Sequence, residues 1–197
     1  MSTDKALTGQ WRLNLEKCTS QSELLKEMGR KFWETSVINK ANEDFCLFHF
    51  QKEIEGKKVH YFEKFVTIYL DSSILKVLSK IFPIEIDRMF YSHKFVANNK
   101  EKIHEDDEKR FGKCSSRTIM DENEEKKRGF TIRWYIKTGV LKVFHFVNDN
   151  GQLQVDMEFS SPKRVCKATK IYDRVEMSDE NKKRFESMPY KGDVVIS

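Results

Sequence analysis

Proline, glycine and cysteine are all scarce in this chain, and each scarcity removes a class of answer. Three prolines and eight glycines among 197 residues leave no Pro/Gly-rich linker to divide it, and it has no internal repeat or low-complexity tract. The four cysteines (Cys18, Cys46, Cys114, Cys166) are far apart and form no C-x-x-C pair. That pattern suits reduced thiols in a cytosolic compartment. No apolar run approaches the ~18 residues of a membrane span, and residues 1–10 lack the apolar core of a signal peptide. A cytoplasmic location is the expectation. One-sided charge is missing too: 36 Lys and Arg face 31 Asp and Glu, a net charge of +5, with signs interleaved as in Glu180–Arg184. A nucleic-acid-binding protein concentrates basic residues on one face, so no nucleic-acid partner is expected; transient contact with an anionic membrane is compatible with the balance.

Catalytic signatures are equally thin. The five histidines (His49, His60, His93, His104, His145) show no ligand spacing with cysteines or acids, so no metal is expected. There is no G-x-S-x-G, P-loop or dinucleotide fingerprint, and Glu105-Asp106-Asp107-Glu108 lacks the spacing and central glycine of a calcium loop. These absences point to a protein that is not an enzyme and carries no cofactor. What is abundant is aromatic: 15 Phe, six Tyr and three Trp set the chain apart from disordered sequences. Its length suits a single domain spanning 1–197 and expected to be monomeric.

Residues 10–15 alternate polar and apolar, with Trp11, Leu13 and Leu15 on one side, as in a short strand. Thr19 to Glu23 can cap a helix whose apolar stripe is Leu24, Leu25 and Met28 and whose natural stop is Gly29. A second helix is expected from Arg30 to about Asn39, with Phe32, Trp33 and Val37 turned inward. Strands follow over 45–51 and 59–70, with Glu55-Gly56-Lys57-Lys58 as the turn; helical spacing marks Ser72–Phe82. Strands over 90–97 and 114–120 are separated by a charged stretch, 98–110. Alternation then marks strands at 132–137, 140–147, 153–159 and 165–175, and Asn150-Gly151 predicts a type I′ hairpin turn. Helices early and hairpin-linked strands afterwards point to an antiparallel sheet that closes or nearly closes.

Gly9-Gln10-Trp11-Arg12-Leu13 resembles the G-x-W-K-L opening of the intracellular fatty-acid-binding proteins, within the lipocalin-like group. Residues 23–29 look like that family's first lid helix, and Cys166 to Val175 is similar to its closing strand with an R-x-Y core. The resemblance is clearest over 6–33 and 111–175. It is poor over about 52–105, where an insertion is expected, and residues 176–197 extend past the family's usual end. It implies a mostly β fold, an up-and-down barrel of about ten antiparallel strands capped by two short helices. It also implies a non-catalytic carrier for a long-chain fatty acid or similar amphipathic lipid. Trp11 is then expected at the closed end of the barrel.

Such a ligand needs apolar wall for its tail, at about 0.8 kcal/mol per buried CH2, and a cation with hydrogen-bond donors for its carboxylate. In the resembling family an Arg and a Tyr two residues later on the last strand supply these. The matching positions are Lys170 and Tyr172, which period-2 geometry places on one face with Cys166 and Ala168. Strand geometry alone leaves open an exposed lysine beside a surface tyrosine. Lysine in place of the arginine fork offers one compact, strongly hydrated charge, so the site is expected to be looser or to take another ligand class. The family's second basic position falls on the strand at 140–147; His145, in parity with Leu141 and Val143, is the candidate there, with Lys142 on the other face. Leu24, Leu25, Met28 and Phe32 are candidates for the lid and portal, and Lys26, Arg30, Lys31 and Lys40 make that region basic. Two other readings stay open: an interaction module on a barrel whose cavity is filled by side chains, and a lipid-modifying enzyme, for which Cys166 is the sole hint.

Overall fold

Alternating strands joined by short turns pair with their sequence neighbours, and a computed structural model, describing residues 7–69, 88–104, 114–122 and 127–188, shows the result. Ten strands form one antiparallel sheet: β1 (Gly9–Leu13), β2 (Asn42–Ile54), β3 (Lys57–Tyr69), β4 (Arg88–Ala97), β5 (Glu101–His104), β6 (Cys114–Glu122), β7 (Arg128–Ile136), β8 (Gly139–Val147), β9 (Leu153–Ser160) and β10 (Val165–Val175). Their order is β4-β3-β2-β1-β10-β9-β8-β7-β6-β5. Every neighbour is also a sequence neighbour except β1 and β10, which join the first and last strands (Trp11 opposite Arg174, Leu13 opposite Tyr172) and curl the meander into a barrel. At the far ends of the order, the Asn99 N–H donates to the Thr118 carbonyl (3.1 Å), bringing the β4–β5 turn against β6.

Between β1 and β2 lie the lid helices α1 (Ser22–Glu27) and α2 (Phe32–Lys40). After β10 comes α3 (Asp179–Ser187), capped by the Ser178 side chain, which accepts from the Asn181 N–H. β2 is buried on both faces, and α3 is the reason. Its inward side carries Phe45, Leu47 and His49, while outward Cys46, Phe48 and Phe50 pack beneath Met177, Phe185 and Met188. The Phe185 ring stacks on Phe48 at 5.1 Å, and the Arg184 guanidinium lies over Phe65 at 5.1 Å. The extension thus sheathes an aromatic strip on the outer wall.

At one end of the barrel the interior is solid. Trp11 is fully buried, donates from Nε1 to the Leu7 carbonyl (3.3 Å) and lies 4.4 Å beneath the Arg174 guanidinium. A ladder of stacked rings crosses this floor: His49 on Phe62 (4.5 Å), Phe62 on Phe130 (4.1 Å) and Phe130 on His145 (4.4 Å).

Several local expectations change. Asn150-Gly151 does not form a type I′ turn. Only Gly151 has positive φ (71°), and the Asn148 side chain accepts from the N–H groups of Asn150 and Gln152, which holds a longer loop. The two-residue turn with both φ positive occurs instead at Glu55 (52°) and Gly56 (72°), between paired Ile54 and Lys57. The charged stretch 98–110 contains β5, whose side chains are largely exposed and so show no apolar alternation. Within the expected insertion, 57–69, 88–97 and 101–104 are barrel wall. The helix expected over Ser72–Phe82 and the side chain of Trp33 lie outside the described residues.

Candidate functional site

Inward-facing residues from four strands meet beneath the lid. β10 sends in Lys170 and Tyr172, β2 Glu43, β3 Lys64 and β8 His145, and all five line a cavity of about 440 Å³. Most of its wall is apolar, including Ile132, Trp134, Leu141, Val143, Val155 and Met157. Above them, Leu24, Leu25 and Met28 of α1 and Val37 and Ile38 of α2 close the top.

The polar end is an ion cluster. Lys170 Nζ lies 2.8 Å from Glu43 Oε2, and Lys64 Nζ lies 3.8 Å from Glu43 Oε1; all three side chains are at most 15% exposed. Lys64 also sits over the Phe45 ring at 4.0 Å, and Phe45 meets Tyr172 edge-on at 4.7 Å. Tyr172 is buried. His145 is only 3% exposed, and its Nδ1 has no hydrogen-bond partner. Burial first, then the charge of Lys64, hold its imidazole well below the ordinary histidine range, against smaller opposite pulls from Glu43 and the Val143 carbonyl.

The lid is fastened on one side. Arg164, on the β9–β10 turn, pairs with Glu23 (2.9 Å) and Glu27 (3.0 Å), and the Ser161 hydroxyl donates to Glu27 (2.6 Å). Ser161 first, then Arg164, hold the Glu27 carboxyl below its usual value. The Thr19 N–H donates to the Thr169 carbonyl (3.0 Å), so α1 is tied to β10. α2 is joined to α1 through Asn39, which donates to the Ser22 hydroxyl (2.8 Å) and accepts from the Gln21 N–H (3.1 Å).

Six of the residues singled out in the sequence therefore lie together at the cavity: Lys170, Tyr172, His145, Leu24, Leu25 and Met28. Phe32 does not join them. It is the first residue of α2, 90% exposed, and its ring points to solvent because the helix begins two residues later than the expected Arg30. Cys166 is buried in the core and does not line the cavity. Cys46, buried beneath α3, has its thiol pushed up to about 12 by that burial, which makes a poor nucleophile. Among the described residues no group of His, Cys, Asp and Glu could hold a metal ion. Glu43 and Lys64 are the members that sequence reasoning missed. Their signal was parity: Glu43 is in step with Phe45 and Leu47, and Lys64 lies between Phe62 and Val66 on the inward face.

No family model matches the sequence, and a search of curated proteins finds no match. Solved structures do match. Zebrafish ileal bile acid-binding protein, in complex with cholic acid, superposes with a TM-score of 0.50 over 86% of this chain and 99% of that one, at 10% identity. As-p18, an extracellular fatty acid binding protein, gives a TM-score of 0.50 over 89% of this chain and 100% of its own, also at 10% identity. The chain has the fatty-acid-binding-protein fold. In this fatty-acid-binding fold, the ten-stranded barrel and helical cap correspond to nearly the whole of each matched protein, one a bile acid-binding protein and the other a fatty acid binding protein. No helix among the described residues is long and apolar enough to cross a membrane.

Proposed function

We propose that this protein is a non-catalytic carrier that holds a long-chain fatty acid or similar amphipathic lipid in the barrel cavity. The observation that carries the reading is one cavity with two unlike linings: apolar wall for a tail, and the Lys170–Glu43–Lys64 cluster beside Tyr172 for a head group. A buried tail gains about 0.8 kcal/mol per CH2, so a long chain supplies ample affinity once its charged end is paired. Leu24, Leu25 and Met28 form the inner surface of the lid, and α2, held chiefly through α1, is the element that moves to admit ligand. The exposed Phe32, preceded by Arg30 and Lys31, suits brief contact with an anionic membrane during transfer. The ligands named for the two matched proteins support the same ligand class, and the wide spacing of the four cysteines, with no C-x-x-C pair, supports a cytoplasmic location.

The test is displacement of a fluorescent fatty acid. Lys170→Ala combined with Tyr172→Phe is expected to weaken binding of anionic lipids about tenfold or more, the loss of one charge-assisted hydrogen bond and one neutral one. Unchanged affinity removes the head-group assignment.

A further inference from the structure

The turn between β9 and β10 reads Ser161-Pro162-Lys163-Arg164, and its last three residues are exposed. A serine followed at once by proline and then by two basic residues suits a proline-directed serine/threonine kinase. Proline brings no N–H that would need a partner in the pocket after the serine, and Lys163 and Arg164 complement an acidic substrate groove.

The same serine is part of the fastening of the lid. Its hydroxyl donates to Glu27 of α1 (2.6 Å) and accepts from the N–H groups of Lys163 (3.1 Å) and Arg164 (3.2 Å). Two backbone donors converging on one oxygen make a small cradle that suits an anion. Beside it, the Arg164 guanidinium pairs with Glu23 (2.9 Å) and Glu27 (3.0 Å). One hydroxyl and one guanidinium thus hold α1 to this turn.

A phosphate on Ser161 carries about 1.5 to 2 negative charges at neutral pH, and it acts on every part of this clasp. Esterified Oγ has no hydrogen left to give, so Glu27 loses its donor. The new charge stands beside the Glu27 and Glu23 carboxylates and repels both. It also accepts from the two cradle N–H groups and offers Arg164 a bidentate partner of higher charge than either glutamate. The other tie of this segment is untouched: the Thr19 N–H donates to the Thr169 carbonyl (3.0 Å), and the Thr169 N–H to the Thr19 hydroxyl (2.7 Å). α1 is then tethered before its first turn and released along Glu23 to Glu27.

We propose that Ser161 is a phosphorylation site for a proline-directed kinase, and that the phosphate unfastens the lid by drawing Arg164 away from Glu23 and Glu27. In the modifying step Ser161 Oγ attacks the γ-phosphorus of ATP. The new O–P bond forms as the bond to ADP breaks, and the hydroxyl proton passes to the kinase's catalytic carboxylate.

The experiment treats the full chain with magnesium ATP and a cyclin-dependent kinase. Phosphopeptide mass spectrometry is expected to place a phosphate on Ser161. Pro162→Ala, which leaves the hydroxyl and the guanidinium in place, is expected to block its addition. Hydrogen exchange on the ligand-free chain then reads the clasp. The amides of Leu25 and Met28, bonded to the Gln21 and Leu24 carbonyls, are expected to exchange about tenfold faster after phosphorylation, while those of β7 and β8 keep their rates. Phosphatase treatment restores the slow rates. Stopped-flow release of a fluorescent fatty acid is expected to accelerate as well, and this arm alone rests on the carrier reading. A Ser161 that the kinase leaves unmodified, or a phosphate that leaves α1 exchange unchanged, overturns the inference. Failure of the fatty acid to bind overturns the carrier reading and not the site, because α1 exchange is read without ligand.

Discussion

Replacing Lys170 with methionine removes the ammonium from Glu43 while keeping most of the side-chain volume. At the observed 2.8 Å, and with an effective dielectric of about 20, the Coulomb attraction lost is about 6 kcal/mol. Desolvating the two ions takes back several kcal/mol of that, which is why breaking buried pairs typically costs about 3–5 kcal/mol. Lys64 still faces the other carboxylate oxygen at 3.8 Å, so the low end, about 3 kcal/mol, is expected here. Glu43→Leu alone is expected to cost more, about 4 kcal/mol, because it leaves two ammonium groups facing each other. The double variant removes the Glu43–Lys170 pair together and leaves Lys64 without a facing second ammonium, so it should be about 2 kcal/mol more stable than the two single losses combined. Urea unfolding followed by tryptophan fluorescence reads this out, with the slope checked for constancy across the four proteins. Losses that add to within about 0.5 kcal/mol mean the pair is not coupled in solution, and the charged end of the cavity is then not built as described.

Acid should destabilise the protein through His145. Its folded value lies well below the ordinary 6.5, so between the two the unfolded chain binds a proton that the folded chain does not. Stability is then full above the ordinary value and falls as pH drops through that window, by up to about 1.4 kcal/mol per pH unit; urea midpoints from about pH 7 to pH 5 show the slope, and His145→Phe flattens it. Phe185→Ala should cost about 1–2 kcal/mol, below the range for a fully buried ring because Phe185 is only half-covered. Ending the chain after Val175 should bare Phe48 and Phe50, and size-exclusion chromatography should then show self-association; a chain that stays monomeric and equally stable contradicts the sheathing role of α3. Arg164→Ala frees α1 from Glu23 and Glu27; as an exposed pair it should change stability by less than about 1 kcal/mol, while stopped-flow release of bound lipid accelerates several-fold.

The strand alternation made the barrel legible because each inward residue is apolar and each outward one polar over long stretches, as in Leu153 to Phe159. Parity put Lys170 and Tyr172 on one face and His145 in step with Leu141 and Val143, and the family resemblance, not the alternation, chose those faces as the inward ones. Parity failed where a strand is apolar on both faces or charged on its inner one. Around Glu43, the run Asn42-Glu43-Asp44 reads as a polar loop although Glu43 keeps step with Phe45 and Leu47, and the register with β3 shows that the middle carboxylate turns inward. Lys64 is hidden in the same way, next to Glu63 in the chain and between Phe62 and Val66 on the inward face. The outward burial of Phe48 and Phe50 depends on α3, more than 130 positions away in the chain, so no local pattern announces it. Phe32 shows the converse: helical spacing suggested an inward residue, but it stands at the first turn, where the helix has not yet reached the barrel.

Native mass spectrometry of the purified chain, with extraction of whatever hydrophobic molecule comes off, tests the central claim most directly. The account predicts one amphipathic lipid bound per chain, retained from the expression host or taken up after delipidation, and lost from the Lys170→Ala, Tyr172→Phe double variant. A chain that carries nothing, and accepts nothing when long-chain acids are offered to it, contradicts the account.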